Sequence, residues 1–568
     1  MLLALLSTFS MLLAGQTLLI NNERPLVDKK TKICYATVKA SYDDSLRVSF
    51  CYNDSTITTD DVRLCIDGKY YNMVDSLTVL ANMNKHLLVA EYAEHKDSVY
   101  FVLTTLPLIT INRIDNQSFG MESRTPTRFT IYDVEARTEQ KNLFTSNTKI
   151  SYRGATASLM EKKSYKIELV KGDDNNEEAE ANLFGIRESD TWILDAAAID
   201  YSRIRNRLCT DIWNSMSTLR DDDMKRNGTK GLHVELMVDS TYQGIYCFTD
   251  KINRSLLGLK KTKDDANYDS AVRGILYKCK GNDYGTSFLT MPQKEWWLPN
   301  TEIWFDWFLK YPKDIFSDQS WEPLYNLIEH TNINSSNPDS VKAVTDCFYY
   351  KNFIEYAVFA MSMRLLDNVM HNTYLSVKNR NNSFQVWITP WDMDGSFGRD
   401  GAAKVYDIIA SSRNVFYKCQ PFIYYFDEQV QPFYDDFCEL TQQLHEPDQP
   451  LSFDVVSKRI DDFVTMLEFS GAWQRECERW SGMNNIWFNT PIILGASLKE
   501  ETQFMKEWYK KNENYLVSLK AVTANKNISV NTPQSPSIYL LNGVKVNATS
   551  IDQLPHGIYI INGKKLIK

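Results

Sequence analysis

Asp367-Asn368-Val369-Met370-His371-Asn372 opens the most informative stretch of the chain, and Pro390-Trp391-Asp392-Met393-Asp394-Gly395-Ser396-Phe397-Gly398 closes it. Between them lie two β-rich runs, Thr373-Tyr374-Leu375-Ser376-Val377 and Phe384-Gln385-Val386-Trp387-Ile388, with a turn at Asn379 to Asn382. Runs of β-branched and aromatic residues joined by an Asn-rich turn predict a hairpin. The pattern is Asp-x4-Asn, a hairpin, then Asp-x-Asp with Gly and Phe.

Phosphoryl transfer needs little covalent chemistry from a protein. A carboxylate must orient or deprotonate the acceptor hydroxyl, and oxygen ligands must hold Mg²⁺ on the phosphates. Protein kinases place these roles on an Asp-x4-Asn and on a later Asp followed by Phe-Gly. Asp367, Asn372 and Asp392 follow that order. Mg²⁺ takes one or two carboxylates together with phosphate oxygens and water, which Asp392 with Asn372 could supply. Singly, each element is weak, because Asp-x4-Asn arises by chance and Asp392 and Asp394 are ordinary turn formers. Their ordered combination makes them candidates.

Outward from this stretch, residues 107–525 mix strands and helices. Strands are expected at Arg128 to Asp133, Lys149 to Tyr152, Ser164 to Val170, His233 to Val238 and Ile245 to Thr249. Tyr201 to Met216 carries helical periodicity, with Ile204, Leu208, Ile212 and Trp213 on one face. Val341 to Leu366 reads as a long buried helix or helix pair, and 405–525 as helical. The acidic run Gly172 to Asn182 reads as a solvated loop. Before this region, 25–105 shows short strands at roughly 10-residue spacing, which predicts a β-sandwich-like domain. After a Ser/Pro/Asn-rich linker, 536–568 has two β-runs closed by Asn542-Gly543 and Asn562-Gly563, a hairpin signal that predicts a small β-module.

At 568 residues, 43% hydrophobic and 24% charged, the chain has apolar material for several cores and is not disordered as a whole. A formal net charge of −9 argues against duplex nucleic acid as the main partner. The seven His form no His-x3-His pair and the ten Cys no Cys-x2-Cys, which argues against zinc and thioredoxin-like sites. One disulfide among Cys34, Cys51 and Cys65 stays open beside free, buried thiols. Residues 1–15, MLLALLSTFSMLLAG, read as a signal-peptide core without its usual basic start. Gln16 stands where a lipoprotein would need Cys, which favours release over lipid anchoring. No later run reaches 18 apolar residues, so no transmembrane segment is expected in the mature chain. The expected location is exported: periplasmic, outer surface or secreted.

Further segments go with the Asp367 stretch. They are Tyr152-Arg153-Gly154-Ala155-Thr156, Lys162-Lys163-Ser164-Tyr165-Lys166-Ile167-Glu168-Leu169, Leu183-Phe184-Gly185, Trp192-Ile193-Leu194-Asp195-Ala196-Ala197 and Arg203-Ile204-Arg205-Asn206. Val234-Glu235-Leu236, Tyr242-Gln243-Gly244-Ile245-Tyr246 and Asp250-Lys251-Ile252 follow. Together these resemble the CotH family, the spore-coat-protein-H-like atypical protein kinases. The resemblance implies an α+β, atypical protein-kinase-like domain and transfer of phosphate from ATP to protein Ser or Thr with Mg²⁺ or Mn²⁺. It would make Asp367 the catalytic base and Asn372 and Asp392 metal ligands, with Asp394 a second carboxylate ligand. For the nucleotide phosphates Lys166 is a candidate, since alternation turns it away from Tyr165 and Ile167. Lys163 and Arg153 compete with it. Arg205 could meet phosphate or an acidic side chain. Where many relatives carry an acid, this chain reads Gly274-Ile275-Leu276-Tyr277-Lys278. The final 30 residues resemble a C-terminal sorting module of secreted Bacteroidetes proteins.

Two functions follow as expectations. One is an exported Mg-dependent protein kinase that takes ATP and a secreted or surface protein. The other is a non-catalytic surface or adhesion protein on the same fold. In the second case Trp296, Trp297, Trp304, Trp307 and Trp321, in the unmatched segment 280–345, would form a contact surface, unless they are core aromatics.

Overall fold

A computed structural model describes residues 16–521 apart from 22, 42–44, 53–61, 73–76, 81, 93–94, 136–142, 173–176, 218–226, 264–271, 280–301, 305–306, 314, 316, 332–345, 369–371, 407–408, 410–414, 417–419 and 428. It also describes 538–540, 545–546, 558–561 and 564–567. The signal-peptide reading at 1–15 lies outside the described residues. The chain through Ala521 is one compact unit, and Val522–Lys568 is a second.

The first hundred residues make two sheets. One has three strands, in the order Gln16–Ile20, Ser45–Tyr52, Leu77–Leu80. The other has six, in the order Leu26–Val27, Ile33–Thr37, His95–Thr104, His86–Tyr92, Val62–Ile66, Lys69–Asn72. Alternation drives their pairing: Leu46 and Val48 of the first sheet are buried with Cys34, Leu64, Leu88 and Phe101 of the second in one cluster, while Arg47 stays in water. Cys34 and Cys65 are free, which rules out a bridge between them.

The next sheet curls into a ring of seven strands. Its order is Leu143–Arg153, Thr125–Tyr132, Leu108–Arg113, Gly231–Val238, Thr241–Asp250, Thr191–Asp195, Ser164–Lys171, and Ser164–Lys171 pairs back onto Leu143–Arg153 from Asn147↔Val170 to Arg153↔Ser164. Closure leaves no free edge between these strands. Inward positions such as Ile111, Phe129, Ile150, Ile167, Trp192, Leu194 and Phe248 fill the interior and belong to the main core. Outward positions carry polar groups near the site described below.

A second, five-stranded sheet follows, in the order Ile303–Trp304, Trp307–Tyr311, Ile275–Cys279, Thr373–Val377, Val386–Pro390. The expected hairpin is its last strand pair, in register from Thr373↔Pro390 to Val377↔Val386. Helix Tyr350–Met363 packs on its strand Val386–Pro390, and Arg205–Met216, Phe433–Leu444 and Lys499–Ser518 pack on that helix; Phe453–Phe469 packs on Lys499–Ser518, and Ala472–Trp480 packs on strand Thr241–Asp250 of the ring. Tyr350–Met363 is buried at every position from Asn352 to Met363, as an apolar helix at the centre of a core must be. It is shorter than the helix expected over 341–366, whose residues 341–345 lie outside the described residues. The helical reading of 405–525 missed a short hairpin, Met483–Asn485 with Thr490–Ile492. No described helix is long and apolar enough to cross a membrane.

The C-terminal unit is a four-stranded antiparallel sheet, in the order Lys545–Val546, Ile538–Leu540, Ile558–Ile561, Lys564–Ile567. Its Asn-Gly turns lie outside the described residues.

Candidate active site

Helix Tyr350–Met363 ends on Arg364, whose left-handed backbone (φ 55°) turns the chain into Asp367. Asn368, the next residue, is buried and joins the two ends of the hairpin. Its side chain donates to the Trp391 carbonyl at 2.6 Å and accepts from the Tyr356 hydroxyl at 3.0 Å. Its own carbonyl accepts from the Asn372 amide and the Thr373 hydroxyl. The Trp391 amide then donates to the Asn372 carbonyl at 2.9 Å, which fixes Asp392 beside Asn372. Asn372 Nδ2 donates to Asp367 Oδ2 at 3.3 Å. Asp367, Asn372 and Asp392 therefore converge at one end of the hairpin.

Asp392 adopts a left-handed backbone (φ 60°), which Asp tolerates better than most residues, and its carboxylate is exposed. The loop beyond it is gripped by the first turn of helix Arg205–Met216. Met393 N–H donates to Asn206 Oδ1 at 3.1 Å, and Arg205 Nε donates to the Ser396 carbonyl at 3.1 Å. Asn206 Nδ2 donates in turn to Asp195 Oδ2 at 2.8 Å, which brings a further carboxylate to the loop. Burial pushes the Asp394 carboxyl well above its ordinary value, and Asp392, Asp195, Asp367 and Asp200 add to that push. Close packing needs glycine here: a Cβ on Gly395 would lie 2.8 Å from the Gly401 nitrogen, and one on Gly401 3.0 Å from Asp367 Oδ2.

The candidate cations divide sharply. Arg205 is fully buried and committed: besides Ser396 it bonds Asp200 at 2.6 Å and Glu501 at 2.5 Å. That is the acidic-partner alternative, and it leaves the guanidinium enclosed. Lys163 donates to the Ser158 carbonyl and stands over Tyr152, whose ring packs against inward-facing Tyr165. It is thus separated from Asp392 by the sheet. Lys166 does face outward, with Ile193 as its register partner, and is paired with Glu168 at 2.6 Å. Arg153 shares that face, opposite Ser164, and stands 5.3 Å over the Trp391 ring beside Asp392. Sequence reasoning missed Asn368, Asn206 and Asp195 as parts of the site. Their segments were singled out, but nothing local marks an amide that will bridge two loops.

The residues suit a hard divalent cation. Asn372, Asp392 and Asp394 offer the oxygen donors that such a cation takes. Among the described residues no three His, Cys, Asp or Glu side chains form a ready metal cage.

Residues 150–516 match the family model described as CotH kinase protein. The chain belongs to this family. The matched span takes in the ring of strands from Ile150 onward, the hairpin and the helices through Lys499–Ser518, so the CotH region holds every candidate residue named above. No curated protein matches the chain. Three of the five Trp in 280–345 are core residues rather than surface: Trp304, Trp307 and Trp321 are at most 3% exposed, and Trp321 stacks on Tyr277. Trp296 and Trp297 lie outside the described residues.

Proposed function

We propose that this CotH protein is an exported protein kinase that moves the terminal phosphoryl group of ATP to Ser or Thr of secreted or surface proteins. The supporting observation is the hydrogen bond from Trp391 N–H to the Asn372 carbonyl, with Asn372 reaching Asp367. It brings Asp367, Asn372 and Asp392 to one end of the hairpin, which supports reading them as base and metal ligands of phosphoryl transfer. Asp367 accepts the proton of the acceptor hydroxyl as its oxygen attacks the γ-phosphorus and the bond to the bridging oxygen of ADP breaks. Asn372 and Asp392 would hold Mg²⁺ (or Mn²⁺), with Asp394 as a further oxygen ligand. The ion, when bound, neutralises charge on the phosphates. Arg153 and Lys166, on the outward face of the ring, are the phosphate cations; Lys163 and Arg205 are given structural roles because of their placement.

The test is transfer from labelled ATP, with Mg²⁺ or Mn²⁺, to the protein itself and to casein-like acceptors. Label should appear with the wild type and vanish with Asp367→Ala and Asp392→Ala. Absence of label from folded wild-type protein would sink the kinase reading and favour a non-catalytic binding protein.

A further inference from the structure

Lys278 has no place in the roles assigned so far. It lies in strand Ile275–Cys279, opposite Tyr374 of the hairpin, and its ammonium stands 5.6 Å over the Tyr374 ring. Arg153 stands 5.3 Å over Trp391, and the two rings meet edge to face with centroids 6.2 Å apart. Two aromatic faces in contact thus carry one cation each, at the residue that precedes Asp392. Both side chains are half-buried. Among the described residues neither makes a hydrogen bond or an ion pair.

Such an arrangement opposes ordinary packing. A lysine or arginine at a rim normally extends its head into water or meets a carboxylate. Here two like charges stand over touching rings, half-buried, with eight N–H donors between them, and the Asp392 carboxylate is the acidic group that acts on Lys278. Burial, and then Arg153, hold the Lys278 ammonium below its ordinary value, while Asp392 opposes that. The unfavourable contact is relieved when a multivalent anion enters, because phosphate oxygens accept from both heads at once.

We propose that Lys278 and Arg153 form a clamp for the phosphate chain of the donor, with Lys278 a further binding residue. This rests on the kinase reading for the identity of the anion. A carboxylate at position 278 would draw Arg153 into an ion pair, whereas Lys278 leaves both cations open to phosphate.

The experiment is calorimetric binding of inorganic tripolyphosphate and of MgATP to the full chain, for wild type, Lys278→Met, Lys278→Arg and Arg153→Met. Melting temperatures and label transfer are recorded alongside. Loss of either cation should weaken tripolyphosphate binding at least about tenfold, as expected for charged hydrogen bonds. Lys278→Arg should restore it, and melting without ligand should not fall. Equal binding by wild type and both Met variants would overturn the clamp; if transfer persists, the kinase reading survives that failure. No binding by the wild type, or a loss that accompanies lower melting and is not restored by Lys278→Arg, would also overturn it. Tripolyphosphate held through Lys278 without any transfer from ATP would uphold the clamp and remove the kinase reading.

Discussion

Arg205 and Arg153 flank the same Asp392 loop and could hardly differ more. Arg205 is enclosed, with Asp200, Ser202, Ser396 and Glu501 satisfying its donors, and Glu501 takes Arg399 as well at 2.7 Å. Arg153 is half-exposed above Trp391 and meets no acceptor among the described residues. A buried charge with every donor matched holds a fold together, while a desolvated charge left unmatched is held ready for a ligand. The loop thus has a fixed side, toward the helix, and an open side, toward the cations.

The strongest challenge to that contrast is stability. Arg205→Ala leaves Asp200 buried without its partner and should cost about 3–5 kcal/mol in urea unfolding, as broken buried ion pairs do. Arg153→Ala should change stability by no more than about 0.5 kcal/mol. Equal costs would dissolve the distinction. Next in size is Asn206→Ala, which removes the link between Asp195 and the Met393 amide. About 1–3 kcal/mol should be lost for the unpaired buried groups, and transfer should need more Mg²⁺. An unchanged Mg²⁺ requirement would make Asn206 purely structural.

Gly401→Ala sharpens the picture on the catalytic side. Its Cβ would crowd Asp367, and a displacement of a fraction of an ångström should lower kcat about tenfold or more, with KM for ATP nearly constant. A change confined to KM would contradict Asp367 as base. The smallest effect concerns pH. Burial holds His233 and His445 below their ordinary value; His233 lies against the Arg203 carbonyl at 2.9 Å, and His445 against that of Thr441 at 2.7 Å. The unfolded chain therefore binds more protons just below the ordinary His value. Their stabilising effect is complete above it and is lost as pH falls toward the folded values, with a slope of at most about 1.4 kcal/mol per pH unit for each proton. Unfolding midpoints at pH 7.5 and 5.5 measure this, and His233→Gln should flatten the difference.

How far the sequence could be read depends on range. Asp367, Asn372 and Asp392 belong to one hairpin, so their meeting follows from local pattern, and inward Ile167 against outward Lys166 follows from strand alternation. Helix Arg205–Met216 was legible for the same reason, since Leu208, Ile212 and Trp213 recur on one face. Long-range partners were not legible. Arg205 meets Glu501 296 residues later, Asn206 meets Met393 187 residues later, and Lys162 is buried against Glu476 314 residues away. Nothing in the segment around Arg205 tells an enclosed arginine from an open one. Ring closure was equally hidden, because it depends on which strands return to pair. Trp304, Trp307 and Trp321 show the converse: a conspicuous cluster in sequence can be ordinary core.

The most direct test is a crystal structure with Mg²⁺ and a non-hydrolysable ATP analogue. The expected density has the metal on Asn372 and Asp392 and the phosphate chain between that metal and Arg153 with Lys278, while Arg205 keeps Asp200 and Glu501. A nucleotide bound elsewhere, or a metal away from Asp392, would contradict the assignment of this loop as the centre of phosphoryl transfer.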